Sequence, residues 1–573
     1  MALSSMERAM PSVSIEGKKE VDIKGAKNEY EAFQVVISAG RKNHLQNIRV
    51  EVTDLINEEG MINKTNLDIF REEYVYLPHS TPRAELPPGL YPDPLLPFIN
   101  PVTGDSIKAN QKLKAQDGEP YRTPIYSAYP INIYPGQSCT LWIDIYIPAE
   151  TRAGLYKGSI KVSAEDGTAA SLPVSLTVWD FTLPEIASHR THLGEFSLIA
   201  KVWGIERESE QFRNTELKFC EELARHRVSP PIPHSLLPDI NEDGSLNIDS
   251  ERHKKLTAYI DKTHLVDFEV PRTPFMTNTS NSDRPTPDNQ TDPVAIEKSK
   301  RYYREIYQYV QDNGWAERAY LYMLDEPNSM KDYNQVINLG KVVKNAAPDL
   351  QVLVVEQTYK QDPSWPDLDP YIDIWCPLFS FVDRPTIDEK INHGDEVWSY
   401  TALVQPAPPY HPDYENLKDK NPPYWHIDQP LIMYRIPTWL NHQYHINGLL
   451  YWTTSGWYND VSPWISPTLG PWDSESTDST EYDTRYFNGG GILFYPGINA
   501  GFDGPVASIR LKNIREGLED YEYFAILDKN GEGEFVKDMV NQVCPEWWDF
   551  TRNPDKLLEI REKLALKIES LNK

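Results

Sequence analysis

The apolar run at residues 319–324 ends abruptly in two neighbouring acids and a proline, Asp325, Glu326 and Pro327. An acid pair at the end of a buried strand is costly to desolvate, so it needs either a structural partner or a chemical task. Two close carboxylates oppose each other's ionisation, and one of them tends to keep its proton near neutral pH. The result is a proton donor beside a fixed anion. Glycoside cleavage uses that division of labour, with an acid for the leaving oxygen and negative charge near a cationic sugar. The dipeptide by itself carries no specificity, because it recurs at Asp388-Glu389 and Asp395-Glu396. Only Asp325-Glu326 closes an apolar strand.

Period-two alternation puts Tyr320, Tyr322, Leu324 and Glu326 on one face and Leu321, Met323 and Asp325 on the other. Glu326 is therefore the acid expected to point into a site, held extended by Pro327, which also stops the ladder. Asp325 joins it only if the strand twists or bulges at its end. The usual retaining design places a second carboxylate on another strand, about 5 Å away. Glu356, closing the apolar run at 351–355, is the candidate for that role, since the run at 396–401 has no acid at its carboxy-terminal end. If no carboxylate attacks the sugar, a 2-acetamido oxygen of the substrate can do so, and the neighbouring Asp would orient it. A third reading is a non-catalytic carbohydrate-binding protein whose strand-end acids are structural.

Positioning such acids calls for a scaffold that gathers strand ends. Between residues 192 and 454 eight short apolar segments alternate with helical periodicity: 192–197, 227–231, 268–275, 319–326, 351–357, 372–377, 396–401 and 447–454. Ile296, Tyr303, Ile306, Tyr307 and Val310 fall on one face of a helix over 295–314, and Val336, Leu339 and Val343 on one face over 331–346. Eight alternations suit a (β/α)8 TIM-like barrel, whose chemistry sits at the carboxy-terminal strand ends. Residues 1–185 read instead as an N-terminal β-sandwich, with alternating strands rich in Val, Ile, Thr and Tyr and no long helices between them. A Pro-rich stretch, 78–124, reads as a long ordered loop. The expected division is 1–185 sandwich, 186–480 α/β barrel, and 481–573 a strand and C-terminal amphipathic helices (507–530, 556–571) packed on the barrel. Trp398 and Tyr400 then fall at the end of the seventh strand, and Tyr451, Trp452, Trp457 and Tyr458 at or after the eighth, as an aromatic, substrate-binding rim.

Composition fits a carbohydrate partner and weakens others. Thirty-three Tyr and 15 Trp supply flat rings with a polar edge, which suit sugar faces, although large cores use them too. The net charge of −28 repels phosphate backbones and anionic lipid, so neither nucleic acid nor membrane is an expected partner. The four cysteines, Cys139, Cys220, Cys376 and Cys544, are far apart and form no metal-ligand or disulfide pattern. No metal and no cofactor is expected. Residues 239–251 begin like a calcium loop but carry Ser250 where a bidentate Glu is needed, so a hairpin turn at Asp243-Gly244 is the reading. His442 and His445 lack a telling acid and read as surface or packing residues. No apolar run is long enough to span a bilayer, and the first residues lack a signal peptide. The expected location is cytoplasmic, or secreted with the signal absent from this chain.

Several stretches resemble glycoside hydrolase family 123 and the wider domain of unknown function 4091. Residues 4–11, 25–37 and 148–162 resemble the family's amino-terminal region, 319–327 its catalytic strand, and 448–457, 491–497 and above all 508–527 its carboxy-terminal signature. The enzymes of that family are β-N-acetylgalactosaminidases that use substrate assistance. The resemblance implies Glu326 as general acid/base and Asp325 as the residue stabilising the acetamido-derived intermediate.

Overall fold

The structure is a computed structural model; it describes residues 1–11, 16–100, 104–107, 126–194, 196, 198–278, 288–459, 461–473 and 484–571. Much of the Pro-rich stretch, and Glu195 and Ser197 of the first expected barrel strand, lie outside the described residues.

The amino-terminal part is built from two sheets. One runs in the order Ala2–Ser4, Glu29–Ser38, Ser138–Ile147, Leu67–Leu77, Gly89–Pro97, with every pairing antiparallel. The other runs Val21–Lys27, Ala169–Thr182, Gly154–Ser163, Leu45–Val52, Ile131–Ile133, with only its first pairing parallel. Alternation drives both: in Ala169–Thr182 the side chains of Leu172, Val174, Leu176 and Val178 are buried. These join Phe33, Val35, Leu141 and Ile143 of the first sheet in one continuous core.

A parallel sheet follows, and its strands are numbered here along the chain: β1 (Arg190–His192), β2 (Phe268–Glu269), β3 (Ala319–Asp325), β4 (Gln351–Val355), β5 (Ile374–Trp375), β6 (Glu396–Thr401) and β7 (Gly448–Tyr451). Their spatial order is β1-β7-β6-β5-β4-β3-β2. The two edge strands come back together, since the Thr191 N–H donates to Asp267 beside β2 at 3.1 Å and His192 lies 3.5 Å from Glu269. The sheet is thus curled until its edges touch through side chains.

Seven strands, not the expected eight, are laddered among the described residues. Residues 227–231 sit at the seam without strand pairing: the Ser229 N–H donates to Thr191 Oγ1 at 2.7 Å, and Ser229 Oγ accepts from the Asp267 N–H at 3.1 Å. Pro230 and Pro231 have no N–H to offer a ladder, which is the physical reason.

The sheet has two distinct faces. Tyr320, Leu353, Val355, Ile374, Cys376, Trp398, Tyr400 and Leu450 form a closed inner cluster. Leu321, Met323, Leu324, Val352, Val354, Val397 and Leu449 belong instead to the outer core. The connections carry helices, of which six matter here: α1 (Glu210–Arg225), α2 (Ser250–Thr263), α3 (Pro293–Asp312), α4 (Met330–Ala346), α5 (Arg384–His393) and α6 (Ile436–Gln443). Each of α1 to α5 starts on a side-chain cap, from Ser209, Asp249, Asp292, Ser329 and Asp383. The apparent calcium loop is a short hairpin, Asp239–Ile240 with Leu246–Asn247.

The carboxy-terminal helix α7 (Ile509–Lys529) departs from its expected amphipathic role. Nearly its whole circumference is buried, including Arg510, Lys512, Arg515, Glu516, Glu519 and Asp520. Its ions reach the amino-terminal sheets through Arg510–Asp93 (2.8 Å) and Arg515–Asp144 (3.0 Å), and the segment leading into α6 through Asp520–Arg435 (2.6 Å). A last helix, α8 (Pro554–Leu571), adds Arg561 to Asp520 at 2.8 Å.

Candidate active site

Strand β3 contains an irregularity that decides where its acids point. Tyr322 pairs with Leu353 and Leu324 with the next residue, Val354, so β3 carries one extra residue at Met323. Met323 and Leu324 both pack into the outer core, and alternation restarts one step later. Asp325 consequently falls on the same side as Tyr322, whose hydroxyl donates to Asp325 Oδ1 at 2.8 Å. Glu326 then leaves the strand with φ +42°, a left-handed conformation that strains a residue bearing a side chain by about 1–3 kcal/mol. The expectation that Pro327 holds Glu326 extended is therefore corrected. The turned backbone presents the Glu326 carboxylate to the hydroxyl of Tyr400 on β6, which donates to Oε1. Just beyond, Ser329 caps α4, accepting from the Asp332 N–H at 3.2 Å while donating to Asp332 Oδ2 at 2.6 Å.

Both acids hold their protons more tightly than ordinary carboxyls. Burial raises Glu326, the Tyr400 hydroxyl pulls it down, and the charge of Asp325 raises it again. Surrounding protein likewise raises Asp325, opposed by Tyr322 and by the positive charge of Arg272 and His192. Asp325 still meets solvent, whereas Glu326 is half-buried. The site is crowded but open on the aspartate side. Among the described residues no lysine or arginine forms an ion pair with Glu326.

Glu356, just past β4, lies within electrostatic reach of Glu326 but is fully enclosed. It accepts from Tyr333 Oη at 3.1 Å and from Gln357 Nε2. Burial places its carboxyl well above the usual range, Tyr333 and Gln357 oppose this, and Glu326 adds to it. Burial thus favours the protonated form of Glu356, which suits it poorly to attack.

Of the expected aromatic rim, Tyr400 reaches the acids and three members do not. Trp398 is fully buried two residues earlier on β6, about 7 Å deeper along the strand. Its ring lies 5.1 Å beneath the Arg190 guanidinium and 5.2 Å from Tyr320, in the floor of the sheet. Tyr451 follows inward-facing Leu450 and so turns outward, onto Trp425 at 4.9 Å, accepting from the Gly491 N–H at 2.8 Å. Trp457 packs on Trp203 and Phe219 and donates to the Phe494 carbonyl at 2.9 Å. Trp452, first residue after β7, is half-buried and lies parallel to the exposed Tyr458 at 5.8 Å. His442 pairs with Asp528 at 2.9 Å, away from this site. Among the described residues no cluster of three or more His, Cys, Asp or Glu could hold a metal ion, and no helix is long and apolar enough to cross a membrane.

Sequence reasoning missed Tyr322, Tyr333, Tyr410, His192 and Arg272. Tyr410 feels both Glu356 and Glu326, though burial is the larger cause of its raised hydroxyl pKa. Tyr322 was within reach of the alternation argument, which already placed it on the inner face. Tyr333 comes from α4, His192 from the edge strand β1, and Arg272 and Tyr410 from loops.

Residues 289–527 match the catalytic domain of glycoside hydrolase 123, a span that takes in Asp325, Glu326, Glu356 and Tyr400. Among solved structures, a family 123 glycoside hydrolase from Clostridium perfringens, studied for glycolipid glycan hydrolysis, superposes with a TM-score of 0.65 at 15% identity, covering 99% of this chain and 96% of that one. A Bacteroides ovatus xyloglucanase (TM-score 0.29, 9% identity, 87% and 98% covered) and a family 39 glycoside hydrolase from Bacteroides cellulosilyticus (0.33, 11%, 71% and 76%) align too weakly to bear on the fold. No curated protein matches the chain. Residues 289–527 thus match the family's catalytic domain, the chain shares the fold of a family 123 enzyme, and the protein is a glycosidase that resembles this family.

Proposed function

We propose that the enzyme releases a terminal 2-acetamido sugar, in the manner of a β-N-acetylgalactosaminidase, by a retaining, substrate-assisted reaction at the mouth of a (β/α)8-like barrel. The observation that carries this reading is the different state of three acids. Asp325 and Glu326 are each held by a tyrosine hydroxyl, while Glu356 is sealed in where burial favours its protonated form. Glu326, its proton retained by burial, donates to the glycosidic oxygen as the bond to C1 breaks. The substrate's acetamido carbonyl oxygen attacks C1 from the opposite face and closes an oxazolinium ring. Asp325 accepts a hydrogen bond from the acetamido N–H, which orients the oxygen and offsets the positive charge. Glu326, now ionised, takes a proton from water, whose oxygen opens the ring at C1 with net retention. Tyr322 and Tyr400 keep the two carboxyls apart and aimed. The C. perfringens relative acts on glycolipid glycans, and a glycan of that kind is the proposed natural substrate here.

The rival is a two-carboxylate retaining enzyme with Glu356 as nucleophile, favoured only by its electrostatic coupling to Glu326. Matched aryl glycosides with 2-acetamido or 2-hydroxyl groups separate the two. Turnover of the acetamido compound alone is expected. Equal turnover of the 2-hydroxyl compound would overturn substrate assistance.

A further inference from the structure

A cleft of about 430 Å³ lies among the loops next to β2, and one of its lining residues, Arg272, is close enough to act on Asp325. Its walls come from the loops that follow residues 227–231 and β2, with the start of α1 between them; Tyr302, whose hydroxyl donates to the Pro271 carbonyl at 2.7 Å, lines its base. This is the position adjoining β3, at the same carboxy-terminal strand ends that carry Asp325 and Glu326.

The cleft is cationic in a protein of net charge −28. Arg213, His234, Arg252 and Arg272 line it against two acids, Glu208 and Asp239. Arg252 is committed to Asp239 at 2.5 Å and to the Leu237 carbonyl at 2.9 Å. The others are not. Arg213 reaches Glu208 only at 4.0 Å, with both side chains about half exposed (49% and 52%). Among the described residues Arg272 makes one long contact, to Asn278 Oδ1 at 3.5 Å, and the exposed His234 side chain has no partner. Exposed arginines in so acidic a chain would normally be drawn to carboxylates, and leaving them open retains a local positive field. That field reaches Asp325, whose ionised form Arg272 favours.

We propose that this cleft binds an anionic substituent, a carboxylate or a sulfate ester, on the sugar adjoining the bond that is cleaved, with Arg213 and Arg272 as the recognising residues and His234 as a further donor. Planar guanidinium groups match both anions with paired hydrogen bonds. The cleft's volume suits one sugar ring. The enzyme would then prefer acidic glycans to neutral ones despite its own negative charge. This deepens the proposed function by naming the neighbouring sugar's chemistry, but its test needs no turnover.

Three probes, 3′-sialyllactose, galactose 6-sulfate and lactose, are titrated calorimetrically into the intact enzyme at low salt. At least one anionic probe should bind roughly tenfold or more tightly than lactose, the worth of one charge-assisted hydrogen bond. High salt should erase the difference. Arg213→Gln with Arg272→Gln should remove it, and Arg213→Lys should keep part of it; thermal melting of each variant checks that it is folded. The probe that binds identifies the anion. Equal binding of all three, or anion binding unaltered in the folded double variant, overturns the proposal. Because lactose carries no 2-acetamido group, failure of the acetamido reading in the aryl glycoside assay leaves this outcome untouched.

Discussion

Acids are treated in opposite ways in two parts of this enzyme. Along α7, Asp144 faces Arg515 at 3.0 Å and Lys512 at 2.8 Å, and Asp93 faces Arg510 at 2.8 Å. At the mouth, Asp325 and Glu326 face tyrosine hydroxyls. Burial alone would raise Asp144, but the guanidinium of Arg515 and the ammonium of Lys512 outweigh it and hold the carboxyl far below the usual range. Of the two cations Arg515 is the firmer partner, because burial drags Lys512 below the ordinary lysine value while Arg515 stays above its own. Compensation has limits even there, since burial keeps Glu519 above the carboxylate range despite Arg515. The lesson concerns partners. A cation fixes a buried acid as an ion and makes it a structural tie, whereas a neutral hydroxyl orients an acid and leaves its proton available.

That contrast breaks most sharply at Glu326. Glu326→Gln should lower kcat/KM by about 10²–10⁴-fold with unchanged circular dichroism and melting, because the donor proton is lost and no ion pair is disturbed. A folded variant with wild-type turnover would remove the acid from the reaction. Asp144→Ala should do the reverse. It strands Arg515 and Lys512 as uncompensated buried charges and should cost about 3–5 kcal/mol of stability in urea unfolding, with the activity of the folded enzyme retained. The sign with pH follows from the depressed carboxyl: its contribution is complete above the unfolded value of about 4 and is withdrawn as pH falls below it. The gap between wild type and variant should therefore narrow in acid; a gap constant from pH 6 to pH 3 would mean that Asp144 acts by packing alone.

Glu356→Gln sharpens the comparison from the middle ground. The amide is nearly isosteric with a protonated carboxyl, so a neutral Glu356 should tolerate it with a loss of about tenfold or less, one hydrogen bond's worth. A loss as deep as that of Glu326→Gln would make Glu356 the nucleophile.

Different parts of this arrangement were legible in the sequence to different degrees. Asp325-Glu326 stood out because an apolar strand ran into them, and the alternation of Ala169–Thr182 gave its strand directly. The bulge at Met323 was not legible. It follows from matching β3 to β4, and local sequence favours no particular register there. Trp398 and Tyr451 were misplaced because "strand-end aromatic" ignores depth and face; counting from inward-facing Leu450 would have turned Tyr451 outward. The prolines at 230–231 could have warned against an eighth ladder strand. The ion pairs of α7 could not have been read, since Asp93, Asp144 and Arg435 lie far away along the chain.

The smallest expected effects belong to two tyrosines on neighbouring strands, and they isolate what a hydroxyl does at the mouth. Tyr400 donates to Glu326, and Tyr451 accepts from the Gly491 N–H behind the sheet. Removing the Tyr400 hydroxyl deletes the interaction that pulls Glu326 down, leaving burial and Asp325 to raise it further. Tyr400→Phe should therefore move the alkaline limb of kcat/KM to higher pH, since the acid keeps its proton longer, while the maximum falls about fivefold to tenfold as the carboxyl loses its aim. Tyr451→Phe should cost about 1 kcal/mol of stability through the unpaired N–H and leave the pH profile where it was. A shift of the limb in both variants would mean that it reports general loosening of the strand ends. A shift in neither would mean that Glu326 is not the group whose proton the reaction uses.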